Sequence, residues 1–126
     1  MSGNRKYILD TNAIISLLRG DKNIVNNCEK SEYLGISIIS QIEYMVFPNL
    51  NDNDKDLFNV FSERVDIIDL ESENIELLEK IYSIRKNSNW KLPDAIIAAS
   101  AIIKNATLLT ADKDFSNIKN LKIKIF

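Results

Sequence analysis

The sequence predicts an α/β fold, a three-layer α/β/α domain with a parallel sheet between helices, and three observations carry that prediction. Short apolar runs (Tyr7-Ile8-Leu9, Tyr33 to Ser37, Val65 to Ile68, Thr107 to Leu109 and Leu121 to Ile125) recur along the chain. Segments with helical spacing separate them, and strands alternating with helices form a parallel sheet covered on both sides. Only 3 Gly and 2 Pro among 126 residues argue against a turn-rich sandwich and for long helices. A chain of this length makes one domain, residues 1–126, with a core that needs no disulfide staple.

The elements follow in order. Residues 6–10 read as a short buried strand that Asp10 ends. Thr11 and Asn12 can cap the next helix, because their side-chain oxygens accept from free backbone N–H groups. Gly20 stops that helix after about Leu18, and residues 22–31 form a second, more polar one. Tyr33 to Ser37 is the second strand, with Ser40 as N-cap of a helix that carries Ile42, Glu43, Val46 and Phe47 and ends at Pro48. Asn49 to Asp54 is polar and loop-like. A helix through Leu57, Phe58 and Phe61 precedes the strand Val65 to Ile68. Ile75, Leu78, Ile81, Tyr82 and Ile84 keep a helical period, giving an amphipathic helix over 71–86, and Asn87 to Asn89 form a loop. Pro93 fits the first turn of another helix, where its missing N–H costs nothing. That helix, Ala95 to Lys104, is apolar nearly all round and is expected to be deeply buried. Thr107 to Leu109 is a strand. The last strand, Leu121 to Ile125, alternates apolar residues with Lys, as an edge strand exposed on one face does.

Composition excludes several chemistries. The chain has no histidine, which removes Ser-His-Asp and Cys-His hydrolysis and His-ligated zinc. Cys28 is its single cysteine, so there is no intrachain disulfide and no Cys-based zinc cage, and it reads as a small buried hydrophobe. Carboxylates are left as the main catalytic resource. The net charge of -2 does not advertise nucleic-acid binding, although a metal-loaded acidic pocket would reverse the local sign. Lys104, Lys113, Lys119, Lys122 and Lys124 gather in the last quarter, either as a solvated face or as a phosphate-contacting patch. No apolar run approaches bilayer-spanning length, and Met1 to Lys6 lead straight into a strand without room for a signal peptide. A cytoplasmic protein without membrane contact is expected.

The acids stand directly after apolar runs. Asp10 closes the first strand, where a carboxylate is costly unless hydrogen bonds or a cation compensate it; helix capping is the plainer role. Glu43 lies among apolar neighbours, Asp94 sits in the first turn of a buried helix where its dipole stabilises an acid, and Asp112 and Asp114 follow a strand as turn residues do. Their convergence is what matters. In a parallel sheet every strand's carboxyl end lies on one edge, so Asp10 and Asp112 come from the same rim, and helices beginning there bring Asp94. Several carboxylates in one crevice repel each other unless a cation neutralises them. Oxygen-only ligands suit Mg²⁺ or Mn²⁺, and such a site can activate water and stabilise an in-line phosphoryl displacement.

Four segments carry a resemblance: Ile8-Leu9-Asp10-Thr11-Asn12, Ser37-Ile38-Ile39-Ser40-Gln41-Ile42-Glu43-Tyr44, Leu92-Pro93-Asp94-Ala95-Ile96-Ile97-Ala98-Ala99-Ser100-Ala101, and Leu108-Leu109-Thr110-Ala111-Asp112-Lys113-Asp114-Phe115. In this order, over essentially the whole chain, they resemble PIN-domain ribonucleases, and among these the VapC-like toxins of type II toxin–antitoxin systems. The resemblance implies a five-stranded parallel sheet in order 3-2-1-4-5. It implies an endoribonuclease dependent on Mg²⁺ or Mn²⁺, acting on RNA, forming a homodimer and inhibited by a cognate antitoxin. Asp10, Glu43 and Asp94 match the family's first three acids. Asp112 and Asp114 both fall where the family places its fourth; Asp112 is taken as the metal-facing acid and Asp114 as its support. Thr11, Asn12 and Thr110 match polar positions that orient the carboxylates or the attacking water. Two other classes compete: a receiver-like signalling domain that binds Mg²⁺, which needs paired acids after the first strand and a phosphoacceptor Asp after the third, and a catalytically inactive PIN-fold binding module.

Overall fold

The computed structural model describes residues 5–87 and 89–126. Residues 1–4, ahead of the first predicted strand, and Ser88 of the predicted loop lie outside the described residues. Five parallel strands form one sheet in the order β3-β2-β1-β4-β5. The elements run β1 (Lys6–Leu9), α1 (Thr11–Leu18), α2 (Lys22–Glu29), β2 (Tyr33–Ser37), α3 (Ile38–Met45), α4 (Asp52–Ser62), β3 (Asp66–Ile68), α5 (Ile75–Asn87), α6 (Leu92–Ile103), β4 (Thr107–Thr110) and β5 (Ile123–Ile125), with a 3-10 turn at Lys113–Asn117. This order also removes the receiver-like alternative, whose doubly wound sheet runs 2-1-3-4-5. Here β3 lies outside β2 at the sheet edge, and Asp69, the acid that follows it, is exposed.

Side-chain alternation in the central strands divides the core in two. Ile8 and Leu108 pack on one face with Leu77, Ile81 and Ile84 of α5 and Ile97 of α6. Tyr7, Leu9, Ile36 and Leu109 pack on the other face with Ile14, Ile24, Tyr44 and Phe58. The central strands are therefore apolar on both faces, as a parallel sheet covered by helices requires. Strand β5 is the exposed edge that its Lys alternation predicts. Helix α6 is buried nearly all round, from Ala95 to Ala101. Among the described residues no helix is long and apolar enough to cross a membrane.

Several boundaries differ from the sequence reading. Asp10, not Thr11 or Asn12, is the N-cap of α1. Ser37, not Ser40, caps α3, while the buried Ser40 hydroxyl has no hydrogen-bond partner among the described residues. In both places the strand turns into the helix with no intervening loop, so the residue at the strand's end must satisfy the helix's free N–H groups. The polar stretch 49–54 is not all loop: Asn51 and Asp54 form a reciprocal capping box that starts α4 at Asp52. Helix α5 begins at Ile75 rather than 71, because Asn74 accepts from the Leu77 N–H and opens the helix there.

Candidate active site

Each acid reaches the carboxyl edge of the sheet by a different local device. Asp10 directly follows β1; its N–H donates to the Leu109 carbonyl at 3.2 Å, fixing it beside the end of β4. Its Oδ1 accepts from the Ala13 N–H at 2.8 Å, so the carboxylate caps α1 while lying only 6% exposed. Glu43 stands on α3, whose start is set by the Ser37 cap, and its Oε1 accepts from the Thr11 hydroxyl at 2.5 Å. Asp94 lies in the first turn of α6, just after Pro93. Asp112 follows β4; its N–H donates to Thr110 Oγ1 at 3.0 Å, and its own Oδ1 accepts from the Asp114 N–H at 2.9 Å. The Thr110 hydroxyl, fully buried, also hydrogen-bonds the Asp10 carboxylate. One hydroxyl thus ties the Asp10 carboxylate to the Asp112 backbone.

Asp10, Thr11, Asn12, Glu43, Asp94 and Asp112 line a single cavity of about 420 Å³. Its remaining wall is apolar, formed by Ile15, Val46, Phe47, Pro48, Ile97 and Phe115. Sequence reasoning missed this apolar half. Its only signal was Val46 and Phe47, apolar residues just before a proline, which the structure leaves exposed. Asp114 does not line the cavity and is exposed. Thr110 lies behind the cavity wall and acts through its hydrogen bonds.

The electrostatics of the cavity are unbalanced. Burial pushes the Asp10 carboxyl above its ordinary range, and the charges of Asp94 and Asp112 add to that, while the Thr110 and Ala13 hydrogen bonds act against it. Asp94 is also raised, by burial and then by the Glu43 and Asp112 charges, with Lys91 partly opposing. No lysine or arginine lines the cavity. Among the described residues no three Asp, Glu, His or Cys side chains form a group ready to hold an ion by themselves, so the four acids stand around the space without closing on a point. A carboxylate-lined cavity of this kind attracts cations and, unaided, repels phosphates.

The fold matches a known class. The chain belongs to the PIN domain family, whose profile matches residues 7–121. It is similar to Ribonuclease VapC1 of Methanocaldococcus jannaschii, at 30% identity over 127 residues, covering 96% of this chain and 87% of that protein. It is also similar to a chain in the structure of VapBC2 from Rickettsia felis bound to a DNA fragment from their promoter, with TM-score 0.77, 26% identity and coverage of 95% and 98%. A chain in a toxin–antitoxin complex from Klebsiella pneumoniae gives TM-score 0.76 and 27% identity, covering 92% and 95%. The family and the VapC-type resemblance read from the four motifs both hold.

Proposed function

We propose that this protein is an endoribonuclease dependent on Mg²⁺ or Mn²⁺, and the toxin of a toxin–antitoxin pair. The observation that carries the nuclease reading is the gathering of Asp10, Glu43, Asp94 and Asp112 on one cavity without a basic neighbour on its lining. A phosphodiester brought there meets a lining whose charged side chains are all acids unless a cation intervenes. The donors fit a hard divalent ion, being oxygens throughout. Mg²⁺ keeps several waters and takes one or two protein carboxylates, so acids spread around a space suit it as well as a closed cage would. When bound, such an ion lowers the pKa of water and offsets charge on the phosphoryl oxygens.

The chain's own residues do the positioning. Thr11 holds Glu43 in place by donating to its carboxylate, leaving the second oxygen of that group for other partners. Thr110 links Asp10 to the Asp112 backbone, which fixes the spacing between acids from two adjacent strands. Ile97 and Phe115 form a dry wall beside them, and electrostatic interactions strengthen where water is excluded. Asn12, exposed at the cavity, offers an amide to the substrate backbone or the attacking water.

The toxin part rests on the relatives: one bears the name ribonuclease, and another was solved in a toxin–antitoxin complex. By this reading the substrate is RNA, the partner is a cognate antitoxin protein and the active form is a homodimer in the cytoplasm. The test is direct. Purified protein should cut single-stranded RNA when Mg²⁺ or Mn²⁺ is added and stop in excess EDTA. Asp10→Asn should lose roughly a hundredfold or more of the rate, since even residues that only support a metal ligand cost 10–100-fold. Cleavage that persists in EDTA or in Asp10→Asn overturns the reading.

A further inference from the structure

A second cavity, of about 340 Å³, lies against the first through a pair of rings. Trp90 lines the second cavity and Phe115 the first, and the two rings stack with centroids 4.8 Å apart and 15° between their planes. The segment carrying Trp90 is held by Arg85 of α5, whose guanidinium donates to the Trp90 carbonyl. Lys80 and Asn87 of α5 form one side of this cavity, and Asn117, Lys119 and Asn120 form the other. None of its lining residues is acidic. In a chain of net charge -2, that is a local reversal of sign next to the acid-lined cavity. Of the five lysines gathered in the last quarter, only Lys119 lines it; Lys104 pairs with Asp66 at 3.7 Å.

We propose that this cavity holds one nucleotide of the RNA strand whose scissile phosphate enters the acid pocket. The assignment rests on the ribonuclease reading and extends it. Lys80 and Lys119 supply the cations that the acid pocket lacks, and phosphate contacts of this kind provide the sequence-independent part of nucleic-acid affinity. The amides of Asn87, Asn117 and Asn120 carry both donors and acceptors for a base edge, and an indole is a favoured surface for unpaired bases. A continuous strand is favoured over a free nucleotide because the two cavities share the Trp90–Phe115 wall. A strand crossing that wall places its reacting phosphate among the acids and an adjoining unit among the lysines.

Trp90 is the only tryptophan in the chain, so its emission reports on this cavity and the wall it shares with the acid pocket. Asp10→Asn protein, slowed roughly a hundredfold or more by the reading above, should show saturable quenching of Trp90 when titrated with a short single-stranded RNA before appreciable cleavage. Replacing Lys80 and Lys119 together by Ala should weaken binding about tenfold and reduce the slope of log K against log salt by about 1.4, or ~0.7 for each phosphate no longer neutralised. Arginine at both positions should restore most of the affinity, which separates missing charge from a damaged fold. In the cutting protein the double Ala variant should raise KM about tenfold, with a smaller effect on kcat. Uridine or adenosine monophosphate should bind at least about tenfold more weakly than the oligonucleotide; a mononucleotide that binds as tightly makes this a free-nucleotide site and overturns the strand assignment. Unquenched Trp90, or affinity and KM indifferent to both lysines, overturns the subsite while RNA cleavage leaves the ribonuclease reading standing. Absence of cleavage defeats that reading, and the Trp90 titration still decides whether the cavity takes RNA.

Discussion

Asp112 and Asp114 are the same residue type, two positions apart, and the backbone gives them different work. The Asp112 N–H is held by Thr110 Oγ1, which turns the chain as it leaves β4 and leaves the Asp112 carboxylate at the cavity. That carboxylate then accepts from the Asp114 N–H, capping the 3-10 turn and leaving Asp114 in solvent. The motif alone could not separate the two, since both follow the same strand and both suit a turn. What separates them is the hydroxyl of Thr110, a hydrogen bond that spacing does not encode. Asp112→Asn is therefore expected to lower the RNA-cleavage rate about 10–100-fold. Asp114→Asn, which leaves the backbone N–H in place, should stay within roughly twofold, as surface changes away from a site generally do. Initial rates at saturating Mg²⁺ check this, and equal losses in the two variants would reverse the assignment.

At the scale of elements, periodicity was the strong signal and capping the weak one. Central strands such as Tyr7-Ile8-Leu9 and Leu108-Leu109 were legible because burial on both faces demands continuous apolar runs. Helix α6 was legible for the same reason. Helix starts were not, because the sequence offers several capping side chains in a row and only the path of the chain chooses among them. Asp10 caps although Thr11 and Asn12 stand beside it, and Thr11 is thereby released to hold Glu43. Thus part of the site follows from a cap that local propensity could not place. The start of α4 is the plainest case, since five polar residues from Asn51 to Lys55 look like loop until the Asn51–Asp54 reciprocity is seen. Losing a side-chain cap typically costs about 1 kcal/mol. Asn51→Ala should lower the unfolding free energy by about that amount in urea, without changing the m-value or the cleavage rate. A loss below a few tenths would mean that water satisfies these N–H groups just as well.

For the whole molecule, the acid pocket sets stability against function. Two carboxyls, Asp10 and Asp94, are raised by burial and by their acidic neighbours. A group whose pKa is higher in the folded than in the unfolded state favours folding while it is protonated. Its contribution is complete below the unfolded value of 3.8 and is lost as pH rises through the elevated folded one. Metal-free protein should therefore lose stability as pH climbs from the acid side toward neutrality, in the portion these two groups control. The absence of histidine makes this readable, because no other side chain has an unperturbed pKa between 5 and 8. Asp94→Asn removes one charge from the conflict, so in EDTA its Tm should exceed that of the parent at neutral pH, and the gap should close near pH 3.8 and below. Divalent ions should act in the opposite sense. An ion bound only by the folded state adds RT ln(1 + [L]/Kd), about 2.7 kcal/mol at a hundredfold excess over Kd, so Mg²⁺ or Mn²⁺ should raise the parent's Tm more than that of Asp94→Asn. Calorimetric scans across pH, with and without Mg²⁺, test both statements together. A variant less stable than the parent in EDTA at neutral pH would show that Asp94 holds the fold together, and would remove the argument that these acids are retained for a cation.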